Sequence, residues 1–220
     1  MKTIFISKDF EDLADLDVLF ERKDVCFNCH SLIDFEPISF SIPISFEVLF
    51  FSSIRCAQFI ENNKSIDIHD FSLACAGPQT AHKLECMGYQ VDFVGQNASS
   101  PEHVAKDFES WLGERTVFIP RSNRSLRSIE AFLNKDQVES SVVYNTNLQN
   151  RVLEKADILV FTSPSNVDAY FQKNTIDTDT KLISWGASTS SCLSNHGHHA
   201  DFVLKEGRVA ELKELLMHCI

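Results

Sequence analysis

The sequence has little glycine and little proline, with 7 and 6 residues respectively in a chain of 220. Flexible linkers are rich in glycine and serine, and stiff ones in proline, so we expect no long linker here. The chain also lacks any run approaching the roughly 20 apolar residues that a membrane-spanning helix needs. These absences predict a packed globular protein without a membrane partner.

The N-terminal segment also lacks an uninterrupted apolar stretch. It reads MKTIFISKDFEDLADLD and turns acidic where a secretory signal peptide would stay apolar. We therefore expect a cytoplasmic protein whose seven cysteines are free thiols, because a reducing compartment disfavours disulfides.

Excess positive charge is missing as well, since the formal net charge is −11. A general nucleic-acid surface needs a basic face, so we expect no nucleic-acid partner. Any anionic ligand must instead find a local basic site or the free N–H groups at a helix start. The segment RSNRSLR, with Arg121, Arg124 and Arg127, is one candidate.

Two short segments suggest bound metal or haem. CFNCH, from Cys26 to His30, matches the C-x-x-C-H pattern of covalent haem attachment. That attachment belongs to an oxidising compartment, and a strand would point Cys26 and Cys29 to opposite faces. We interpret the match as a chance spelling on a buried strand.

The second segment is HGHH, with His196, His198 and His199. Structural zinc sites need several ligands at suitable spacing. No cysteine or acid lies at ligand spacing to these histidines in the sequence. We expect an exposed turn after a helix-ending glycine and no metal site.

Short apolar runs alternate with helical patterns along most of the chain. The runs include TIFIS, VLFFSS, FSLACAG, TVFIP and DILVFTS. Strands that alternate with helices predict parallel sheets covered on both faces, which is an α/β fold.

The chain also repeats itself. Gly77 and Gly186 are separated by 109 residues, as are Asp92 and Asp201. Two homologous α/β units follow from this repeat. Two predicted strands, TIFIS and VCFNCHSL, precede the first repeat block, whereas the second block contains only three strands. The two N-terminal strands therefore complete the sheet of the second block, and the units are not consecutive in the chain.

We therefore predict that one domain is inserted into the other. The first domain comprises residues 1–35 and 146–220, and the second comprises residues 36–145. Hinge strands are expected near 33–39 and 142–147. A ligand site is expected in the cleft between the domains.

Two repeated motifs would lie at the strand ends. Ser163 suits a helix N-cap followed by Pro164 at the first helical position, and Ser53 is its counterpart. The turns GPQT and GAST begin with Gly77 and Gly186, where a ligand could approach the backbone closely. Neither turn is G-x-G-x-x-G or a P-loop, so a dinucleotide cofactor has no support.

Four segments together resemble the uroporphyrinogen-III synthase family. They are GPQTAHKLECMG, VFIPRSNRSLRSIEAFL, VVYNT and VFTSPSNVDAYF. The resemblance implies two flavodoxin-like parallel-sheet domains joined by a two-stranded linker. It also implies a lyase that cyclises hydroxymethylbilane to uroporphyrinogen III with loss of water and inversion of ring D. This reaction belongs to haem biosynthesis.

The family uses no metal or organic cofactor, so catalysis is expected to rest on positioning and desolvation in the interdomain cleft. We expect a monomer whose partner is the linear tetrapyrrole substrate. Tyr144 matches the family tyrosine and is the candidate general acid, although a phenol can also close a domain linker by packing. The expected substrate-binding residues are Ser53, Arg55, Gly77, Arg124, Thr162, Ser163, Ser165, Gly186, Ser188 and Thr189.

Alternatives remain open at this point. Arg55 and Arg124 are suited to pairing with carboxylates, but either could instead lie on a solvated helix face. The whole protein could be a non-enzymatic two-domain binding protein for an anionic small molecule. It could also be a diverged member of the family that serves protein interaction.

Overall fold

The computed structural model describes residues 1–63, 66–96 and 101–220. Packing divides the chain into two compact units, which we call unit 1 (Met1–Asp34 with Asn147–Ile220) and unit 2 (Phe35–Thr146). Within the described ranges, no helix has both the length and the apolar character needed to span a membrane.

Strands and helices alternate along the chain, as expected for an α/β protein. In chain order they are β1 (Lys2–Ile6), α1 (Asp17–Phe20), β2 (Val25–Cys29), β3 (Ile33–Pro37), β4 (Val48–Phe51), α2 (Ile54–Asn63), β5 (Ser72–Cys75), α3 (Pro78–Cys86), β6 (Phe93–Val94), α4 (Pro101–Leu112), β7 (Val117–Ser122), β8 (Val138–Leu148), β9 (Ile158–Phe161), α5 (Pro164–Phe171), β10 (Lys181–Ser184), α6 (Ala187–Asn195), β11 (Phe202–Val203) and α7 (Val209–Cys219). Short 3₁₀ helices lie at Phe10–Leu16, Ile68–Asp70, Glu130–Phe132 and Lys135–Gln137.

Unit 1 contains a five-stranded sheet in the order β2-β1-β9-β10-β11, with every pair parallel. Counted within the unit, this is the flavodoxin-like order 2-1-3-4-5. The direction of strand succession reverses between β1 and β9. The carboxyl ends of those two strands are therefore where such a sheet offers a ligand crevice.

Unit 2 contains a six-stranded sheet in the order β3-β8-β7-β4-β5-β6. The pairs from β8 to β6 are parallel, and the order reverses between β4 and β7. The chain enters unit 2 through β3 and leaves through β8. The predicted parallel α/β fold with a two-stranded linker is thus confirmed.

The central strands are apolar along their whole length because both faces of each sheet are covered. In β4, Leu49 and Phe51 pack into one core cluster while Val48 and Phe50 pack into another. All four residues are fully buried. This explains why the strands appear in the sequence as short continuous apolar runs.

The internal repeat is visible in the hydrogen bonds. The carboxylate of Asp92 accepts a bond from the Leu73 N–H at 2.9 Å, and that of Asp201 accepts one from the Leu182 N–H at 2.7 Å. Each aspartate stands 19 residues after its partner. In both units, the same hydrogen bond from a backbone N–H to an aspartate carboxylate therefore helps to attach the short edge strand, which is β6 in unit 2 and β11 in unit 1.

Candidate functional site

Tyr144 lies on β8 and is 6% exposed. Its ring stacks on Phe59, with centroids 4.8 Å apart and an interplanar angle of 16°. Phe35 meets the same ring edge-on at 5.8 Å. The phenol is therefore held between two aromatic side chains, and its ring does contribute to packing.

Burial raises the pKa of Tyr144 to about 12, and the Cys56 side chain adds to the rise. Hydrogen bonding by Ser53 and Ser122 and the charge of Arg55 favour the phenolate, but these effects are smaller. The phenol consequently stays protonated throughout the neutral range, which is the state that a proton donor needs.

Arg55 is half-buried on the first turn of α2. Its guanidinium carbon lies 3.6 Å from the centroid of the Phe35 ring. Such stacking orients the planar group and leaves its N–H donors along the edge for a carboxylate. Arg55 is thus not a freely solvated side chain, and the structure brings it together with Tyr144 and Ser53.

Ser53 stands between β4 and α2, where its Oγ lies 3.6 Å from Cys56 Sγ. Burial raises the pKa of the Cys56 thiol, which is therefore neutral and has the character of a small apolar group. Ser53 and Tyr144 are consequently the uncharged polar groups beside Arg55.

Unit 2 also has a cavity of about 150 Å³ at the carboxyl ends of β4 and β7, where the strand order reverses. Its polar lining includes Arg127, Glu130 and three serines, and its base is apolar. The lining residues are Phe50, Ser52, Ala76, Pro101, Val104, Ile119, Ser125, Leu126, Arg127, Ser128, Ile129 and Glu130.

Arg127 is the basic residue of this cavity. It belongs to the candidate segment RSNRSLR but was not included among the expected substrate-binding residues. It adopts a left-handed backbone conformation, with φ of 54°, and lies 3.6 Å from the Glu130 carboxylate. Arg124, which the sequence favoured, is exposed in the preceding turn and is not among the lining residues. A binding role for the arginine-rich segment stays a prediction, and the turn places Arg127 instead of Arg124 in the lining of the cavity.

In unit 1, Thr162 stands at the carboxyl end of β9, beside the end of β1. Its N–H donates to Ser7 Oγ at 2.9 Å, and its hydroxyl donates to the Ser7 carbonyl at 2.7 Å. Ser163 caps α5, accepting from the Asn166 N–H at 3.3 Å and from the Asn166 amide at 3.0 Å. The predicted cap is confirmed, and both hydroxyls already have protein partners. Ser165, in the first turn of α5, is half-buried.

The two glycine turns differ. Gly77 is buried before α3, and its carbonyl accepts a hydrogen bond from Cys75 Sγ at 3.4 Å. Gly186, before α6, has open space where a Cβ would stand. After Gly186, Ser188 is exposed while Thr189 is only 2% exposed. Ser188 is therefore the member of this pair that reaches the surface.

The cysteines of CFNCH are free thiols on β2. Burial raises the pKa of Cys29 to about 12, so this thiol is neutral and packs with the core of unit 1.

The histidine segment differs from our expectation. His196 Nε2 lies 3.0 Å from a carboxylate oxygen of Asp168, which also accepts from Cys192 Sγ at 3.3 Å. The expectation that no cysteine or acid lies at ligand spacing to these histidines is therefore wrong for Cys192, which stands four residues before His196. Asp168 comes from a different helix, which sequence spacing does not reveal.

Comparison with known protein families identifies the family of this chain. The family model described as uroporphyrinogen-III synthase HemD matches residues 19–214, which is most of the chain. The chain belongs to the uroporphyrinogen-III synthase family. Members of this family are lyases, and the predicted family and enzyme class are confirmed.

Solved structures of uroporphyrinogen-III synthases share the fold. The enzyme from Helicobacter pylori is 19% identical, with full coverage of both chains and a TM-score of 0.74. A mutant uroporphyrinogen-III synthase from the extremely thermophilic bacterium Thermus thermophilus is 12% identical, with 100% of this chain and 99% of that chain covered and a TM-score of 0.64. Among curated proteins, none matches the chain.

Proposed function

We propose that this chain is a uroporphyrinogen-III synthase that cyclises hydroxymethylbilane, with loss of water and inversion of ring D. The observation that supports this most is the family match over residues 19–214. The polar groups found at the strand ends of unit 2 suit a reaction that needs positioning more than a nucleophile.

The substrate carries about eight carboxylates at neutral pH, since its acid side chains titrate like Asp and Glu. A chain with a net charge of −11 repels such a molecule except where local cations face it. Arg55, oriented on Phe35, and Arg127, in the cavity, are the cations that we assign to substrate carboxylates. A guanidinium can pair with a carboxylate through two parallel hydrogen bonds.

Exposed or half-buried groups at the strand ends of unit 1 would supply further contacts. We assign Ser165, Gly186 and Ser188 to this role, because the Gly186 backbone is open and Ser188 is exposed. Thr162 and Ser163 would act mainly by holding β9 and α5 in place, since their hydroxyls bond within the protein.

We assign Tyr144 as the proton donor. As the carbon–oxygen bond of the hydroxymethyl group breaks, the phenol would donate its proton and the oxygen would leave as water. Ring D then attacks through its substituted carbon, which gives a spiro intermediate and leads to the inverted isomer. The raised pKa keeps the donor protonated before the reaction, and Ser53 and Ser122 would stabilise the phenolate until it regains a proton.

The free substrate can lose its hydroxyl unaided and close to the uninverted type I isomer. The test is therefore to incubate the purified protein with hydroxymethylbilane, oxidise the products and separate the isomers by chromatography. We expect the type III isomer. If well-folded protein yields only the type I isomer, the proposal is wrong, and a non-enzymatic binding protein would give this result.

We further propose a monomeric cytoplasmic protein. All seven cysteines are free, which is consistent with a reducing compartment. Sedimentation of the purified protein should give a mass near 24.9 kDa, and twice that value would contradict the monomer.

A further inference from the structure

Helices α5 and α6 of unit 1 bring together three potential metal ligands that the proposed reaction does not use. They are Asp168 on α5, Cys192 on α6 and His196 at the end of α6. One ligand atom from each lies within 4.8 Å of the other two. In the ranges that the structure describes, no other group of three such residues meets this distance.

The local structure holds these ligands in place. Cys192 and His196 are four residues apart, so they lie on the same side of the helix, one turn from each other. The His196 ring stacks on Phe171, with centroids 4.4 Å apart and an interplanar angle of 12°. This contact fixes the plane of the imidazole, and Asp168 lies 3.0 Å from its Nε2.

The distances suit a small divalent ion. Ligand atoms at tetrahedral angles around zinc stand about 3.3–3.6 Å apart, given bonds of about 2.0 Å to oxygen or nitrogen and 2.3 Å to sulfur. The carboxylate oxygen of Asp168 stands 3.3 Å from Cys192 Sγ and 3.0 Å from His196 Nε2. The third pair, Cys192 Sγ and His196 Nε2, lies within 4.8 Å. Side-chain rotations that bring these two atoms closer would admit an ion between the three ligands.

We propose that Asp168, Cys192 and His196 form a binding site for a divalent transition-metal ion of the zinc class. Thiolate and imidazole ligands favour zinc and its neighbours over magnesium or calcium, which prefer oxygen. Three protein ligands leave a fourth position for water. The side chains of His196 and Asp168 are 32% and 29% exposed, so the ion can enter from solvent.

Binding replaces the hydrogen bonds that Cys192 and His196 make to Asp168 by metal bonds, and Cys192 also gives up its contact with the Pro164 carbonyl at 3.5 Å. The Cys192 thiol releases its proton to solvent as its sulfur binds, and His196 binds through Nε2 as the tautomer protonated at Nδ1. Asp168 then turns its oxygen from these hydrogen-bond donors to the ion. No electron transfer is involved.

The chain offers a matched control in α3. His82 and Cys86 are also four residues apart, with Cys86 Sγ 3.8 Å from His82 Nε2, and both are exposed. This pair supplies two ligands where the proposed site supplies three. It should bind a metal ion much more weakly.

The test is titration of the full-length protein with Co²⁺, followed by the near-ultraviolet charge-transfer absorption between thiolate and cobalt. We expect saturation at one ion per chain, and Zn²⁺ should displace the cobalt. Cys192→Ser should abolish the band, whereas Cys86→Ser should retain it. Absence of the band in the wild type, or its loss in Cys86→Ser with retention in Cys192→Ser, would overturn the proposal.

Further variants, checked for folding by thermal unfolding, separate loss of a ligand from loss of the fold. His196→Gln and Asp168→Asn should each weaken binding at least about tenfold, since loss of outer-shell partners alone costs 10- to 100-fold. His199→Gln, which changes an exposed neighbour, should bind normally. Thermal unfolding without metal shows which variants are folded, and normal affinity in a folded His196→Gln would contradict the site. The result does not depend on cyclisation activity.

Discussion

Replacing Tyr144 by phenylalanine removes one oxygen and keeps the ring. The stacking on Phe59 at 4.8 Å and the edge contact with Phe35 should survive, because both involve the ring alone. The lost hydrogen bonding should cost about 1 kcal/mol of the free energy of unfolding. A domain with ordinary stability of roughly 5–15 kcal/mol stays folded after such a loss.

The effect on turnover should be larger. A positioned general acid contributes about 10²- to 10⁴-fold, but this substrate loses its hydroxyl unaided, so the contribution of Tyr144 can fall below that range. We expect kcat to fall at least about tenfold, which corresponds to about 1.4 kcal/mol in the barrier. KM should change little, because the phenol acts on the transition state, in which the carbon–oxygen bond of the hydroxymethyl group breaks, and not on substrate binding.

The assay is the initial rate of type III formation at several substrate concentrations, with the isomers separated. Tyr89→Phe is a matched control in the same unit. The Tyr89 hydroxyl donates to Glu61 at 2.9 Å, and its pKa is likewise raised to about 12, by burial and by that carboxylate. Unchanged kcat in Tyr144→Phe would show that Tyr144 only packs. An equal fall in kcat in Tyr89→Phe would show that lost stability of unit 2, and not a lost proton donor, lowers turnover.

Four other predictions concern the cavity, Gly186, Gly95 and alkaline stability. Arg127→Gln should raise KM about tenfold and more than Arg124→Gln, since only Arg127 lines the cavity; the reverse order would contradict our assignment. Gly186→Ala should leave thermal unfolding unchanged and raise KM if substrate approaches that backbone. Gly95→Ala should destabilise by about 1–3 kcal/mol in chemical denaturation, because its Cβ would stand 2.5 Å from a carbonyl oxygen. Folding raises the pKa of Tyr144 from 10.0 to about 12, so its contribution to stability is constant below pH 10 and roughly 3 kcal/mol of the free energy of unfolding is lost between pH 10 and 12. Tyr144→Phe should lack that part of the loss in unfolding measured against pH.

The fold could be predicted because its signals are local. Continuous apolar runs such as Val48–Phe51 indicate strands covered on both faces, and the repeated aspartates indicate two similar units. Motif resemblance also selected Tyr144 and Ser53, and the carboxylate-pairing geometry of guanidinium selected Arg55; the structure brings all three together in unit 2.

Other features depend on contacts between distant segments. Thr162 bonds to Ser7, which stands 155 residues earlier, because β1 and β9 are neighbours in the sheet. The choice of Arg127 over Arg124 depends on a left-handed residue in a turn, where sequence patterns carry little information. Asp168 meets His196 only because α5 packs on α6.

The isomer composition formed with protein in excess over hydroxymethylbilane tests the central claim most directly. Under these conditions each substrate molecule can bind before it closes spontaneously. The account predicts that nearly all product is the type III isomer, in which ring D is inverted. Product that remains type I at every concentration of folded protein would contradict it.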